Sequence, residues 1–259
     1  MLAKTTEPYR ESISLVGRRH SGIPPQPFTI QGNGATLDGS IPVPASAWEH
    51  YREDVFCFRP FHKGYQQLFI DDRPVVRVPL DCWGGGLPKL EPRQWCLHDG
   101  TIYFRVEQNR IPPDYNFSCA FLPTGITLLH VRHVAIVDLI IQGFQIDGIN
   151  AANSARNVYL ANVTCRGNGR SGITVGGASQ VEIDRSLLGN NGTAQLLTLP
   201  WSHTRVRNSH LLGNTARAWV DQGGEVYLGD EAIRGGRDEI QPPEPQQNSN
   251  QQPTTTDGA

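Results

Sequence analysis

Short runs of alternating apolar and polar residues recur from residue 126 to residue 233. Four segments align without internal gaps, HVAIVDLIIQGFQIDGI, NVYLANVTCRGNGRSGI, QVEIDRSLLGNNGTAQL and HTRVRNSHLLGNTARAW, and a fifth start, EVYLGD, follows them. Equivalent positions are 24, 23, 23 and 22 residues apart, namely Val134, Val158, Val181, Thr204 and Val226. Each unit predicts three short strands of period two, separated by a two-residue break and a Gly/Asn turn, with no helical spacing.

A repeat of this length predicts one rung of a right-handed parallel β-helix. A single rung cannot bury its own apolar face, so rungs stack about 4.8 Å apart and residues one period apart share a column. The columns expected to point inward are apolar or small: Val134/Val158/Val181/Thr204, Ile136/Leu160/Ile183/Val206, Leu139/Val163/Ser186/Ser209 and Ile141/Cys165/Leu188/Leu211. The fold class predicted is therefore an all-β solenoid.

The segment Gly167–Gly172 has the letters of a dinucleotide-binding fingerprint, G-x-G-x-x-G. That fingerprint needs a helix of ten or more residues to start within the glycines, whereas here the strand-like ITV and the turn-like GGAS follow. Asn168, Asn191 and Asn214 also recur at the period of the repeat. The glycines are thus interpreted as a repeated corner, and Cys165 as a core residue.

Composition narrows the functional classes. The net charge is -2 and the 23 basic residues are scattered, which argues against a nucleic-acid partner. No apolar run is long enough for a spanning helix, so membrane insertion is not expected. Five cysteines show no metal-ligand spacing, and Cys82 with Cys96 is the only nearby pair that a disulfide might join.

Two further regions differ from the repeats. Residues 41–125 contain hairpin signals at Asp99-Gly100 and, more weakly, at Asp71-Asp72-Arg73-Pro74, and predict a small β-rich insertion. Residues 237–259 are rich in Gln, Pro, Thr and Asn, and predict a disordered tail. The main rungs are expected at 126–236.

With the rungs placed, the chain resembles the pectate-lyase-like superfamily of β-helix proteins, through the pattern NV-x-I-x-N-x-x-I-x-G-N-x-x-x-G-I. The stretches AWEHYREDVFCFRPF, QQLFIDDRPVVRVPL and WCLHDGTIYFRV resemble an insertion found in carbohydrate-active members, and residues 1–40 resemble opening rungs. The resemblance implies a polysaccharide partner and an extracellular or periplasmic location, and it alone admits calcium as a cofactor. A signal peptide and a capping segment usually come first in such proteins, so the chain is expected to begin inside the domain.

No catalytic motif of that superfamily is present, so candidate residues come from the expected rungs alone. The face of the strand after the Asn turn is the predicted substrate groove, with Arg170, His203 and Glu225 as catalytic candidates. The candidates for substrate contact are Asp147, Asn150, Thr174, Arg217, Asp221 and Trp201. No metal site is predicted.

Two functions remain open at this stage. A uronate lyase needs a base and a cation, for which His203 and Arg170 are proposed, with Glu225 about 5 Å from His203. A glycosidase built from the rungs is disfavoured, since Asp147 and Asp221 are three rungs, roughly 14 Å, apart. The alternative is a non-catalytic β-helix that binds glycans or forms part of a surface structure.

Overall fold

The computed structural model describes residues 1–80 and 86–242, which form strands joined by turns and two short 3₁₀ segments, Ala45–Ala47 and Pro112–Asp114. In chain order the strands are β1 (Ile13–Val16), β2 (Phe28–Asp38), β3 (Ser40–Pro42), β4 (Glu49–Arg52), β5 (Val55–Phe58), β6 (Leu68–Ile70), β7 (Arg73–Pro74), β8 (Val76–Arg77), β9 (Gln94–His98), β10 (Thr101–Arg105), β11 (Phe117–Ala120), β12 (Ile126–Leu129), β13 (Arg132–Gln142), β14 (Asp147–Asn153), β15 (Arg156–Arg166), β16 (Ser171–Val175), β17 (Gln180–Asp184), β18 (Leu187–Gly189), β19 (Ala194–Thr198), β20 (His203–Arg207), β21 (His210–Leu211), β22 (Arg217–Asp221), β23 (Glu225–Leu228) and β24 (Glu231–Ile233).

Two long sheets wind through the chain and define a parallel β-solenoid. Sheet A has the order β2-β13-β15-β17-β20-β23-β24, with β18 and β21 continuing it beside β15, and sheet B has the order β1-β12-β14-β16-β19-β22. From β12 onward the chain passes back and forth between the two sheets, with β18, β21 and β24 each following another strand of sheet A. All the pairs in these two sheets are parallel except β23 with β24, so each rung stacks on the one before it.

The register confirms the predicted columns. In sheet A, Val134 pairs with Val158, which pairs with Val181, which pairs with Thr204. The other three predicted columns are likewise aligned or bonded one rung apart. All of these side chains are buried, because the period-two strands turn every second residue inward onto the same position of the next rung.

The strands between Ser40 and Ala120 form two further sheets, and a second cluster of buried residues lies among them. The two are a four-stranded sheet, β3-β11-β6-β7, and a five-stranded sheet, β4-β5-β10-β9-β8. Trp95 and Phe104 are fully buried between apolar neighbours from both sheets. Both predicted hairpins are present, and Asp71, Asp72 and Asp99 have the positive φ that a two-residue turn requires.

The glycine-rich segment is a solenoid corner, as predicted. The backbone N–H of Asn168 donates to Oδ1 of Asn191 on the next rung at 2.9 Å, and both amides are buried. A Cβ at Gly169 would collide with the carbonyl oxygen of Gln145. The third member of the series departs from the pattern, because the exposed Asn214 bonds to Asn190 instead of Asn191.

The carboxyl-terminal end of the solenoid is extended by residues that composition alone would place in the tail. Trp219 and Arg237 exchange backbone hydrogen bonds, as do Leu211 and Ile240, and the Ile240 side chain is buried in the solenoid core. Residues 237–242 therefore lie against the last rung. Residues 243–259 of the expected tail are outside the described residues. No helix in the described ranges is long and apolar enough to cross a membrane.

Burial predicts a graded reactivity of the cysteine thiols. Burial raises the pKa of Cys96 to about 11 and of Cys119 to about 12, and it also raises the pKa of the fully buried Cys165. The pKa of the part-exposed Cys57 is raised by burial and by Glu49. Because the thiolate is the nucleophile, we expect iodoacetamide at pH 8 to label Cys57 first and Cys165 only after unfolding in urea.

Peptide mass spectrometry of the labelled protein measures this order. Modification of Cys165 in folded protein as fast as that of Cys57 would contradict the core position. Cys82, the predicted disulfide partner of Cys96, lies outside the described residues, and its peptide is followed separately.

Candidate functional site

Four predicted site residues form one cluster at the start of the sheet B strands. Asp147 opens β14, and its carboxylate accepts two hydrogen bonds from Arg170, at 3.0 Å from Nε and 2.6 Å from Nη2. Asn150 donates to it at 2.7 Å and Thr174 at 3.1 Å. Ser171, one rung above Asp147, donates at 2.8 Å. The cluster is thus centred on one carboxylate.

This cluster is satisfied from within. Asp147 is 0% exposed, while the Arg170 side chain is 27% exposed. The hydrogen bond with Asp147 raises the pKa of Arg170, against the lowering effect of burial. Because the bidentate geometry places both carboxylate oxygens opposite the guanidinium, the principal partner of Arg170 is already present in the protein. The arrangement suits a structural ion pair better than a subsite for a uronate carboxylate.

Two other predicted contact residues belong to the carboxyl-terminal end of the solenoid. Arg217 donates to Asp238 at 2.7 Å, and both side chains are well exposed. Asp221 accepts hydrogen bonds from the backbone N–H groups of Gly223 and Gly235. Both residues tie the last turns together, and they lie three rungs from Asp147 along the register of sheet B.

His203 and Glu225 meet as the period predicts. They are paired in the register of β20 with β23, and Nδ1 of His203 lies 3.1 Å from Oε2 of Glu225. The His203 ring packs against Tyr227 in a tilted arrangement, with 4.9 Å between the ring centroids and 38° between the ring planes. A carboxylate on Nδ1 orients an imidazole and leaves Nε2 available for proton transfer.

The structure does not bring Arg170 to His203. Arg170 precedes the first residue of β16 in sheet B, whereas His203 opens β20 in sheet A, two repeat units later. A five-residue strand spans roughly 16 Å, and His203 follows the carboxyl end of a sheet B strand whereas Arg170 precedes the amino end of one, so the two side chains lie beyond opposite ends of the sheet B strands. The predicted pairing of this base with this cation fails because the period relates rungs but does not show which sheet a side chain leaves.

An open face of sheet A surrounds His203. This sheet-A face consists of two neighbouring columns, Gln180/His203/Glu225 and Tyr159/Glu182/Arg205/Tyr227. It includes a pocket of about 440 Å³. Arg205 lies over the Tyr227 ring at 5.7 Å, and the hydroxyl of Tyr159 donates to Asp184 at 2.8 Å. Aromatic rings, a guanidinium, an amide and carboxylates thus share one surface.

Trp201 stands in the turn that leads into this face. The residue is 85% exposed, and its backbone has φ +68. A large non-glycine residue in this conformation costs free energy, and an exposed indole gains little from folding. Among the other tryptophans of the chain, Trp48 packs on Phe58 and Phe117, Trp95 and Trp219 are buried, and Trp83 is outside the described residues.

Arg205 and Tyr227 belong to this face although neither is among the predicted site residues. The period predicts that Arg205 forms a charge ladder with Glu182, and the two residues are indeed in register. The ion pairs form differently, since Arg207 pairs with Glu182 at 3.4 Å. The alternation of side chains along β20 could have indicated that Arg205 belongs to the site. Arg205 and His203 are two residues apart and therefore lie on the same face of the strand.

Comparisons with known proteins add little to this geometry. No protein-family model matches the chain, and no curated protein matches it. A solved structure described as the complex structure of XylC with xylose is similar to it with a TM-score of 0.35 and 10% identity, over 89% of this chain and 67% of that one. Within residues 1–80 and 86–242, no three His, Cys, Asp or Glu side chains come together as a metal ion would require.

Proposed function

We propose that this β-solenoid protein binds polysaccharide on the sheet-A face. The observation that carries the proposal is the group formed by the partly exposed His203, Tyr227 and Arg205 and the exposed Trp201 beside them. Aromatic rings offer an apolar surface with polar edges, and solenoids present extended surfaces on which positions repeat from rung to rung. Such a surface suits a ligand that is itself a repeating chain with apolar and hydroxylated sides.

The finer assignments belong to the same proposal. We take the chain to be a pectate-lyase-like, exported protein whose ligand contains uronate, on the strength of its repeat pattern and of Arg205 on the binding face. A guanidinium is suited to a carboxylate, and Arg205 has no ion-pair partner closer than Asp230 at 3.8 Å among the described residues.

Binding is measured by calorimetry with polygalacturonate, alginate and xylan at constant ionic strength. We expect Tyr227→Ala and Arg205→Ala to weaken binding by about tenfold or more, as for removal of a central aromatic or arginine contact. Val16→Ala, on a part-exposed side chain of β1 in sheet B, is the matched control and should bind like the parent. Equal affinities for the parent and both sheet-A variants would refute the site.

A second candidate function is β-elimination from a uronate, which the His203–Glu225 geometry favours. Nε2 of His203 would take the proton next to the uronate carboxylate, and Arg205 would stabilise the resulting charge. The glycosidic C–O bond then breaks, a double bond forms in the sugar ring, and the departing oxygen takes a proton.

The test of this second candidate is the ultraviolet absorbance of unsaturated products. We expect activity in the parent and in Arg156→Gln, which changes an exposed arginine at the start of β15, and loss of activity in His203→Ala. Binding without any unsaturated product would assign the face to the non-catalytic function.

A further inference from the structure

A polar relay crosses three consecutive rungs at the other end of the sheet A strands. Asp38, Gln142 and Arg166 occupy one column, in the register of β2 with β13 and of β13 with β15. Nε2 of Gln142 donates to Oδ2 of Asp38 at 3.0 Å, and Nε of Arg166 donates to Oε1 of Gln142 at 2.8 Å. Asp38 and Gln142 are buried, so the Arg166 guanidinium is held from below by a fixed chain of hydrogen bonds.

The insertion closes over this relay. Nε2 of Gln142 also lies 3.3 Å from the carbonyl oxygen of Asp72, in the turn between β6 and β7. Between that turn, the solenoid and the amino-terminal segment lies a cavity of about 110 Å³. Its lining residues are Thr5, Thr6, Pro8, Thr36, Asp72, Gln142 and Arg166. A water molecule occupies about 30 Å³ of liquid volume, so the cavity has room for a small polyatomic group.

Arg166 enters this cavity with unused hydrogen-bonding capacity. Its Nε is bonded to Gln142, while Nη1 and Nη2 have no hydrogen-bond or ion-pair partner in the described part of the chain. Burial lowers the pKa of Arg166, the charge of Arg73 lowers it further, and Asp38 and Asp72 act in the opposite direction. A half-buried guanidinium with a like charge nearby is stabilised by an anion. The hydroxyls of Thr6 and Thr36 add donors to the same space, whereas the Thr5 hydroxyl already donates to the carbonyl oxygen of Glu7.

We propose that Arg166 and the threonine-lined cavity bind a small oxoanion, either the carboxylate of a uronate residue or a free sulfate or phosphate ion. A planar guanidinium with two unengaged nitrogens matches two oxygens of such a group. The site is separate from the sheet-A face. Arg166 is the last residue of β15, whereas Tyr159 of the sheet-A face lies seven residues earlier, near the start of the same strand.

The experiment titrates full-length protein with sodium sulfate, sodium phosphate, oligogalacturonate and xylose at constant ionic strength. Binding is followed through the arginine Nε–Hε signals in two-dimensional NMR. We expect the Arg166 signal to move with at least one of the three anions and to be unchanged by xylose. Arg166→Gln should weaken anion binding by about tenfold or more. Arg156→Gln, an exposed arginine at the start of β15, is the matched control.

A second variant tests the sign of the electrostatics. Asp72→Asn removes a negative charge from the cavity wall and keeps a residue that tolerates the positive φ of the turn, so it should strengthen anion binding. Tighter binding of oligogalacturonate than of either inorganic ion assigns the site to uronate, and the reverse assigns it to a free ion; both support the oxoanion site. Binding that is insensitive to Arg166→Gln, or weakened by Asp72→Asn, would overturn it.

Discussion

Replacement of Asp147 by alanine is expected to lower the free energy of unfolding by about 3 to 5 kcal/mol, the range for breaking a buried ion pair. The carboxylate is fully buried and accepts hydrogen bonds from four residues on two rungs. Its removal leaves Arg170 as a half-buried cation without its partner and leaves Ser171 and Thr174 short of an acceptor. Because part of the Arg170 side chain reaches water, the loss should fall toward the lower end of the range.

Urea unfolding followed by circular dichroism measures this loss, and the chain offers a matched control. Arg217→Ala removes an ion pair with Asp238 on the same sheet, but both partners are exposed. Exposed pairs contribute at most about 1 kcal/mol, so this variant should unfold close to the parent. An Asp147→Ala protein as stable as Arg217→Ala would show that the cluster does not hold the rungs together.

The columns of the solenoid can be predicted because they depend on one number, the period. Once Val158 and Val181 are placed one rung apart, the same period assigns every other inward-pointing position. A charged residue at one of those positions would show that the assigned period is wrong. The hairpin at Asp99-Gly100 can be predicted for an equally local reason, since it needs only two residues with positive φ between alternating strands. Both features rest on backbone geometry that neighbouring residues decide.

The site can be predicted only in part, because side-chain partners depend on more than the period. The period places Asp147 on an accessible groove, but Arg170 reaches back one rung and covers its carboxylate. The pairing of His203 with Glu225 is predicted correctly, since they are aligned residues of adjacent strands. The repeat looks alike on both sheets, so it does not indicate which sheet carries an open surface.

The carboxyl-terminal end of the solenoid could not be predicted from the sequence, for a different physical reason. Composition averages over a segment, and residues 237–259 are polar on average. One apolar side chain of this stretch, Ile240, is buried in the solenoid core, and its backbone pairs with that of Leu211. Solenoid ends need a cover, and one residue within a polar stretch is too weak a signal for a compositional argument.

Replacement of Trp219 and of Trp201 by alanine is expected to have opposite effects. The first should lower the free energy of unfolding, and the second should weaken polysaccharide binding without changing stability. Trp219 in β22 is fully buried, follows Leu196 in its column, and donates from Nε1 to Oγ1 of Thr198 at 2.8 Å. Its replacement by alanine should cost about 3 to 5 kcal/mol of unfolding free energy, the range for deleting a large buried aromatic side chain. Thr198 would also lose its indole donor.

Trp201→Ala should leave stability within about 0.5 kcal/mol of the parent, since its side chain touches solvent over most of its surface. The same variant should weaken polysaccharide binding by about tenfold or more, if the indole is the exposed edge of the sheet-A face. Urea unfolding and calorimetry with the polysaccharide are therefore run on both variants. Unchanged affinity in Trp201→Ala would show that the indole has no role in polysaccharide binding. The conformation of Trp201 would then be explained neither by binding nor by folding. A loss of stability in Trp201→Ala comparable to that in Trp219→Ala would instead place the indole in a packed interface and move the ligand surface away from this turn.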